Sequence, residues 1–257
     1  MGRKNKFKKC KNIIYNADYL NDYEKEDDIE IKYTLPKNES QKRYIEQLNQ
    51  SENRIIIATG PAGTGKTLFA TEYGIKFFLE KRIDKIIFVR PTVSVDEEIG
   101  FLPGKLEEKM APWIRPIYDV LYRFIPNKDV EYLMEQKKIE IVPLAYMRGR
   151  TFKNTWIIAD EMQNSTISQM KMLLTRLGEK SKMIITGDLE QNDLGKKMNG
   201  LEDFLDKFRG RRSDSISSIE FNICDVEREK VVREVLDIYS GNTIPLSYMD
   251  TIDNDDE

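Results

Sequence analysis

The sequence predicts an α/β fold, a central and mostly parallel sheet flanked by helices, on three observations. Short isoleucine- and valine-rich runs recur at Arg54–Ala58, Lys85–Arg90, Lys138–Val142, Thr155–Ala159 and Lys182–Thr186. They have the length and composition of buried strands and alternate with stretches of helical periodicity. The first run feeds a glycine-rich turn, and the fourth ends in a pair of carboxylates.

The turn is Gly60-Pro61-Ala62-Gly63-Thr64-Gly65-Lys66-Thr67, which fits the P-loop pattern GxxxxGK[ST]. Its glycines allow backbone angles that a Cβ would forbid, so successive N–H groups can converge on an anion. The helix starting near Lys66 adds the positive end of its dipole. Lys66 suits the β- and γ-phosphates, and the Thr67 hydroxyl suits Mg²⁺. The apolar helical residues Leu68, Phe69, Tyr73 and Phe77 follow. A nucleoside triphosphate with Mg²⁺ is the expected ligand.

Composition narrows the chemistry. Apolar residues form 40% and charged residues 33% of 257 residues, as expected for one sizeable soluble core. Histidine is absent, which excludes Ser-His-Asp and Cys-His nucleophiles and leaves carboxylates as bases. Cys10 and Cys224 are too few for a disulfide framework and fit a reducing compartment. No apolar run reaches the ~18 residues of a membrane span. The basic N-terminus lacks the apolar segment of a signal peptide, so a cytoplasmic protein is expected. A net charge of −3 leaves nucleic-acid binding to local basic patches.

In chain order, residues 1–35 form a charged extension, basic and then acidic, which reads as a solvated arm. The domain runs over 36–240, and an acidic tail follows over 241–257. A helix opens at Asn38 and runs to about Gln50. Gln41 completes a capping box with Asn38, or hydrogen-bonds the adenine edge, and the two roles are compatible. The second strand ends in Arg90, with Thr92 in the polar loop beyond, at the sheet edge where ligands bind. A helical region over about 105–124 is interrupted by Pro112 and Pro116, and its aromatics Trp113, Tyr118, Tyr122 and Phe124 read as core. Another helix is expected over 128–138. After the third strand, Arg148 and Arg150 flank Gly149, either as a solvated turn or as phosphate contacts.

The fourth strand runs into Asp160-Glu161, the Walker B pattern: Asp160 for the Mg²⁺ shell, Glu161 to activate water. A helix follows from Thr166, its N-cap, to Leu177, with Gly178 as its stop. The fifth strand ends in Gly187-Asp188-Leu189-Glu190-Gln191, where Gln191 is the expected γ-phosphate sensor. A helix over about 199–209, a strand over Ser217–Phe221 and a helix beginning near Asp225 complete the pattern.

Together these blocks resemble the PhoH-like family of P-loop ATPases, related to the motor domains of superfamily-one helicases. The likeness rests on the P-loop, Arg90-Pro91, Gly100-Phe101-Leu102-Pro103-Gly104, Pro112-Trp113-Ile114-Arg115-Pro116 and Met147-Arg148-Gly149-Arg150-Thr151. It continues through Asp160-Glu161-Met162-Gln163-Asn164, Leu174-Thr175-Arg176-Leu177-Gly178, Gly187–Gln191 and Asp225-Val226-Glu227-Arg228. It implies a RecA-like P-loop NTPase fold with a strand added between the Walker A and Walker B strands. It also implies ATPase and RNA-helicase-like activity and induction by phosphate starvation. Ala159 stands where relatives often carry a larger apolar residue.

The leading expectation is an ATP-driven motor on RNA or single-stranded nucleic acid, with the loops after the second and third strands touching the phosphodiester backbone. A superfamily-one motor takes a transition-state arginine from a second RecA-like domain, and this length accommodates one. A homo-oligomer such as a hexameric ring is therefore expected. Arg176 or Arg228 would act in trans, or each makes only a local helix-end or ion-pair contact. The alternatives are a nucleotide-switched assembly protein with slow hydrolysis and a protein partner, and a small-molecule kinase. The kinase is disfavoured by Glu161, the Asp188–Gln191 block and the lack of a recognisable lid.

Overall fold

The computed structural model describes residues 33–91, 115–193, 199–227 and 231. Six strands form one sheet: β1 (Ile55–Thr59), β2 (Lys85–Arg90), β3 (Ile139–Pro143), β4 (Thr155–Ala159), β5 (Lys182–Gly187) and β6 (Ile216–Glu220). Their order is β3-β2-β4-β5-β1-β6, and every neighbouring pair is parallel. This is a RecA-like α/β sheet, with β5 lying between the Walker A strand β1 and the Walker B strand β4. Because all six strands run the same way, every loop that leaves a carboxyl end emerges at one edge. The site is built there.

The helices are α1 (Glu39–Asn49), α2 (Lys66–Leu79), α3 (residues 115–121), α4 (Asn127–Glu135), α5 (Ile167–Leu174) and α6 (Gly200–Phe208). Strand side chains alternate between two cores. Ile56, Ala58, Ile86, Phe88, Trp156, Ile158 and Ile184 face the layer that holds Tyr44 of α1, Phe69 of α2, Leu121 of α3 and Val130 of α4. Ile55, Ile57, Ile87, Val89, Ile157, Ala159, Met183 and Ile185 face Met170 of α5 and Leu201 of α6. Helices on both faces explain why these strands read as unbroken apolar runs. Each fully buried isoleucine contributes about 1.5–3 kcal/mol over an exposed one. Trp156 lies under α2, where its indole N–H donates to the Ala70 carbonyl at 3.0 Å, so its one polar atom is satisfied inside the core.

Two polar anchors lock the layers. Lys182, at the start of β5, sends Nζ to the carbonyls of Leu48 (2.8 Å) and Gln50 (2.6 Å) at the carboxyl end of α1. A cation suits that end of the helix dipole. Burial foremost, with Arg82 and Arg54 near, lowers this lysine to about 8. Glu140 of β3 accepts from Lys85 of β2 at 2.6 Å and from Arg150 at 2.9 Å. Burial pushes its carboxyl up, but the hydrogen bonds from Lys85 and Arg150 outweigh it and hold the group below its usual value.

Several expected boundaries shift. The helix after Thr166 ends at Leu174, ahead of Leu177. Gly178 serves a packing purpose, since a Cβ there would meet the Phe152 carbonyl oxygen at 2.3 Å, and its own N–H donates to that oxygen at 2.7 Å. Pro116 lies inside a helical stretch. Phe124 is core and Tyr118 packs at the core margin, but Tyr122 is exposed. Near Asp225 the described backbone is a 3-10 turn, Ile223–Asp225. Most of the charged extension, the loop 92–95, the block 100–104, Pro112, Trp113 and the acidic tail lie outside the described residues.

Candidate nucleotide site

The P-loop joins β1 to α2, and Gly60, Gly63 and Gly65 all take positive φ, at 128°, 87° and 89°. Gly60 shows why: a Cβ there would lie 2.2 Å from the carbonyl oxygen of Phe221, the residue after β6. The loop is braced from outside. The Glu227 N–H donates to the Gly63 carbonyl at 3.1 Å, and the Gly60 N–H to the Gly187 carbonyl at 3.2 Å. Ala62 and Gly63 form the exposed outer turn, and Thr64 is buried with its hydroxyl on the Pro61 carbonyl at 3.0 Å.

Helix α1 supports the loop from behind. Asn38 caps it by accepting from the Gln41 N–H at 2.8 Å. The reciprocal half of the expected capping box does not form. The Gln41 side-chain Oε1 instead accepts from the Lys37 N–H at 2.8 Å, and its Nε2 donates to the Thr64 carbonyl at 3.1 Å. Gln41 is buried, and Tyr44 adds a hydrogen bond to the Lys66 carbonyl at 3.2 Å. Gln41 therefore touches the P-loop itself.

Lys66 is the first residue of α2 and folds into the loop, with Nζ on the carbonyls of Gly60 (2.6 Å) and Pro61 (2.7 Å). Burial lowers its basicity, against the opposing pull of Asp188, Asp160 and Glu161. Thr67 donates to Asp160 Oδ1 at 2.8 Å, joining the Walker A helix to the end of β4. Thr186 of β5 donates to the same oxygen. A threonine hydroxyl beside a carboxylate gives the all-oxygen donors that a hard cation takes. Two protein ligands completed by water and phosphate suit Mg²⁺ better than Ca²⁺.

Glu161 follows with φ 55°, a left-handed turn that swings its carboxylate off the strand line. One oxygen accepts from Gln163 Nε2 at 2.5 Å, and the other faces Arg90 Nη2 at 3.7 Å. Gln163 also accepts from the Asp188 N–H at 3.1 Å and donates to the Gln191 carbonyl at 3.3 Å. Gly187 makes room for it: a Cβ there would sit 2.8 Å from Gln163 Oε1. Asn164 and Asp193 add two more bonds, each 3.0 Å. The turn after β4 and the turn after β5 are thus clipped together by side chains.

Lys66, Thr67, Asp160 and Glu161 lie together at the carboxyl ends of β1 and β4. Gln191 joins them through its carbonyl, while its side chain is exposed. Arg148 is exposed beside the exposed Tyr146. Arg150 is engaged by Glu140 and lies over the Phe152 ring, 4.6 Å from its centroid. Arg176 donates to the Met172 carbonyl (3.1 Å), the Arg150 carbonyl (3.3 Å) and the Thr175 hydroxyl (3.0 Å), which matches the local helix-end reading. Thr92 and Arg228 lie outside the described residues. Sequence reasoning missed Gln163, Asn164 and Thr186 as site residues. Thr186 meets Asp160 because β5 lies beside β4, with Ala159 paired to Ile185 one residue earlier.

The family model and the sequence relatives agree on family. The family model described as "PhoH-like protein" matches residues 33–240. A PhoH-like protein of Bacillus subtilis is 45% identical over 200 residues, covering 77% of this chain and 61% of that protein. One from Synechocystis is 42% identical over 208 residues, 80% of this chain and 62% of the relative. Protein PhoH of Escherichia coli K12 is 41% identical over 209 residues, 80% and 58%. The chain thus spans about three fifths of the length of these relatives. Among solved structures, a Pif1 helicase from Candida albicans matches with a TM-score of 0.41 and 15% identity, covering 81% of this chain and 44% of that one. A Sulfolobus solfataricus SWI2/SNF2 ATPase core in complex with dsDNA matches with a TM-score of 0.40 and 16% identity, over 63% and 34%.

Proposed function

The chain belongs to the family of PhoH-like proteins, and from that premise we propose that it is a Mg²⁺-dependent ATPase driving a motor on RNA or single-stranded nucleic acid. The observation that carries the ATPase reading is the Thr67–Asp160 hydrogen bond at 2.8 Å, with Glu161 next in the chain. It joins a phosphate-binding loop, a cation-binding pair and a carboxylate base at one sheet edge.

In this reading the P-loop N–H groups and Lys66 hold the β- and γ-phosphates. Lys66 leaves the Gly60 and Pro61 carbonyls to reach them. Thr67, and Asp160 through water, would hold Mg²⁺, which would supply charge neutralisation on the phosphates. Glu161 orients a water and takes its proton as the water oxygen bonds to the γ-phosphorus. The bond to the β–γ bridging oxygen breaks, and ADP leaves. Gln191 reports the γ-phosphate through the clipped turns. Gln41 steadies the loop with one amide N–H and one oxygen lone pair, and its second N–H and second lone pair are what an adenine edge would use.

Arg90 and Arg148, with Thr92 nearby in sequence, are the proposed phosphodiester contacts; Arg150 supports that edge through Glu140. The described residues hold one P-loop sheet, so a transition-state arginine from a neighbouring subunit is the reason to propose a homo-oligomer, such as a ring. With Arg176 engaged in its own helix end, Arg228 is the better candidate for that role. No helix of the described residues is long and apolar enough to cross a membrane, and a cytoplasmic setting is proposed with that.

A second reading is a nucleotide-switched assembly protein. It is favoured by the internal engagement of Arg150 and Arg176, which leaves fewer arginines to hold a polymer. Equilibrium binding to single-stranded RNA and DNA across a salt series tests between them. The motor reading predicts affinity that falls steeply as salt rises and changes between the ADP and ATP states. Absence of binding at low salt in either state would favour the switch.

A further inference from the structure

The two groups that hold Glu161 differ in kind. Gln163 is 1% exposed and tied to the backbone after β5. Arg90 is the last residue of β2, and its side chain is 37% exposed at the carboxyl edge. The pairing of β2 with β4, Val89 beside Ala159, brings these two strand tips together. Beside them a cleft lined by Val89, Arg90, Ile117 and Val142 reaches in to Thr67 and Asp160. A guanidinium 3.7 Å from a carboxylate attracts it through partly exposed surroundings, strongly enough to bias its position and weakly enough to be displaced. A base must also present an oxygen to the attacking water.

From this geometry we infer that Arg90 is a releasable restraint on Glu161, and that the phosphodiester backbone of a bound single strand releases it. Arginine meets phosphate through two parallel N–H donors, a stronger pairing than an ion pair at 3.7 Å. A phosphate at the β2 tip therefore draws the guanidinium away. Glu161 keeps its Gln163 hydrogen bond, and the oxygen that faced Arg90 turns to the water. Occupancy of the polymer site is read at the base itself, and hydrolysis without polymer stays slow. Arg90 is in this sense a positioning residue. The inference rests on the reading of the protein as a nucleic-acid-responsive ATPase.

The test is steady-state phosphate release by the full chain, wild type and Arg90→Gln, without polymer and with saturating oligouridylate or oligothymidylate. Thermal melting of both proteins checks that the variant folds. The restraint predicts a polymer-free rate about two- to fivefold above wild type, the range a partly exposed ion pair contributes. It also predicts a stimulation ratio that falls toward one, and loss of the gain when Glu161→Gln is added. A polymer-free rate below wild type makes Arg90 part of the chemistry and overturns the inference. A rate equal to wild type overturns it too, whether or not stimulation survives. If wild type ignores both polymers while Arg90→Gln still runs faster, the restraint is upheld and the polymer as its release is overturned.

Discussion

Gln163 spans more of the site than any residue named from sequence alone, linking Glu161 to the Asp188 N–H and the Gln191 carbonyl. Its removal should leave nucleotide binding intact and misplace the base. Gln163→Met, similar in size but without the amide, is expected to keep ATP affinity within about twofold and lower kcat by roughly tenfold to a hundredfold, the effect of a displaced catalytic group. Parallel ATP-binding and phosphate-release assays check this split, and an equal loss in both would make Gln163 a folding residue only. Glu161→Gln should bind ATP and lose about 10²–10⁴-fold in rate. The P-loop and Asp160-Glu161 were legible because each lies in one contiguous stretch whose order encodes its geometry. Gln163, Asn164 and Thr186 were not, because their partners lie 25–29 residues away and meet them only once β5 lies beside β4. Gln41 was half legible: its nearness to the P-loop followed from position, but its hydrogen bond to the Thr64 carbonyl did not.

The elements were legible to different depths. Strands covered on both faces appear as apolar runs, so β1, β2, β4 and β5 could be read directly. The edge strand β6, partly exposed, carries Ser217 and Ser218 and was drawn one residue late. The end of α5 was misplaced because Gly178 answers to the Phe152 backbone, a tertiary demand invisible to local pattern. The joint between α1 and β5 yields a pH prediction. Lys182 loses its proton near pH 8 in the fold, against an ordinary value of 10.5. Between these values the unfolded chain holds more protons than the folded one, so this group's contribution to stability rises with pH through that window. Below about 8 both states are charged and the burial penalty is felt in full. Thermal melts of wild type and Lys182→Met should therefore diverge in favour of wild type from pH 8 to 10.5. A constant difference would mean that the lysine is not desolvated. At the other end of the scale, Glu140 is held below its usual value, so its contribution is lost as pH falls through the folded value. Glu140→Gln should flatten the acid limb of the melting curve and loosen Arg150.

At the scale of the molecule, a single parallel sheet among the described residues directs the P-loop, Arg90, Asp160 and Glu161 to one edge, and what else meets that edge sets the next prediction. An arginine supplied in trans predicts that sedimentation in the presence of ATP and Mg²⁺ shows an oligomer. It also predicts that mixing Lys66→Ala subunits into wild type lowers activity by more than their share. A monomer under those conditions, with full activity, would remove the need for a partner subunit. Strand order could not be read from sequence, since parallel crossovers of similar length permit several arrangements, and the likeness to a known family supplied what periodicity could not. The most direct test of the account is phosphate release from ATP at low salt, with and without single-stranded RNA or DNA, with Lys66→Ala and Glu161→Gln alongside. The account predicts Mg²⁺-dependent hydrolysis, stimulated several-fold by a polymer and lost in both variants. Hydrolysis that no polymer changes would contradict the motor and leave a nucleotide switch. Release that survives in both variants would contradict the site itself.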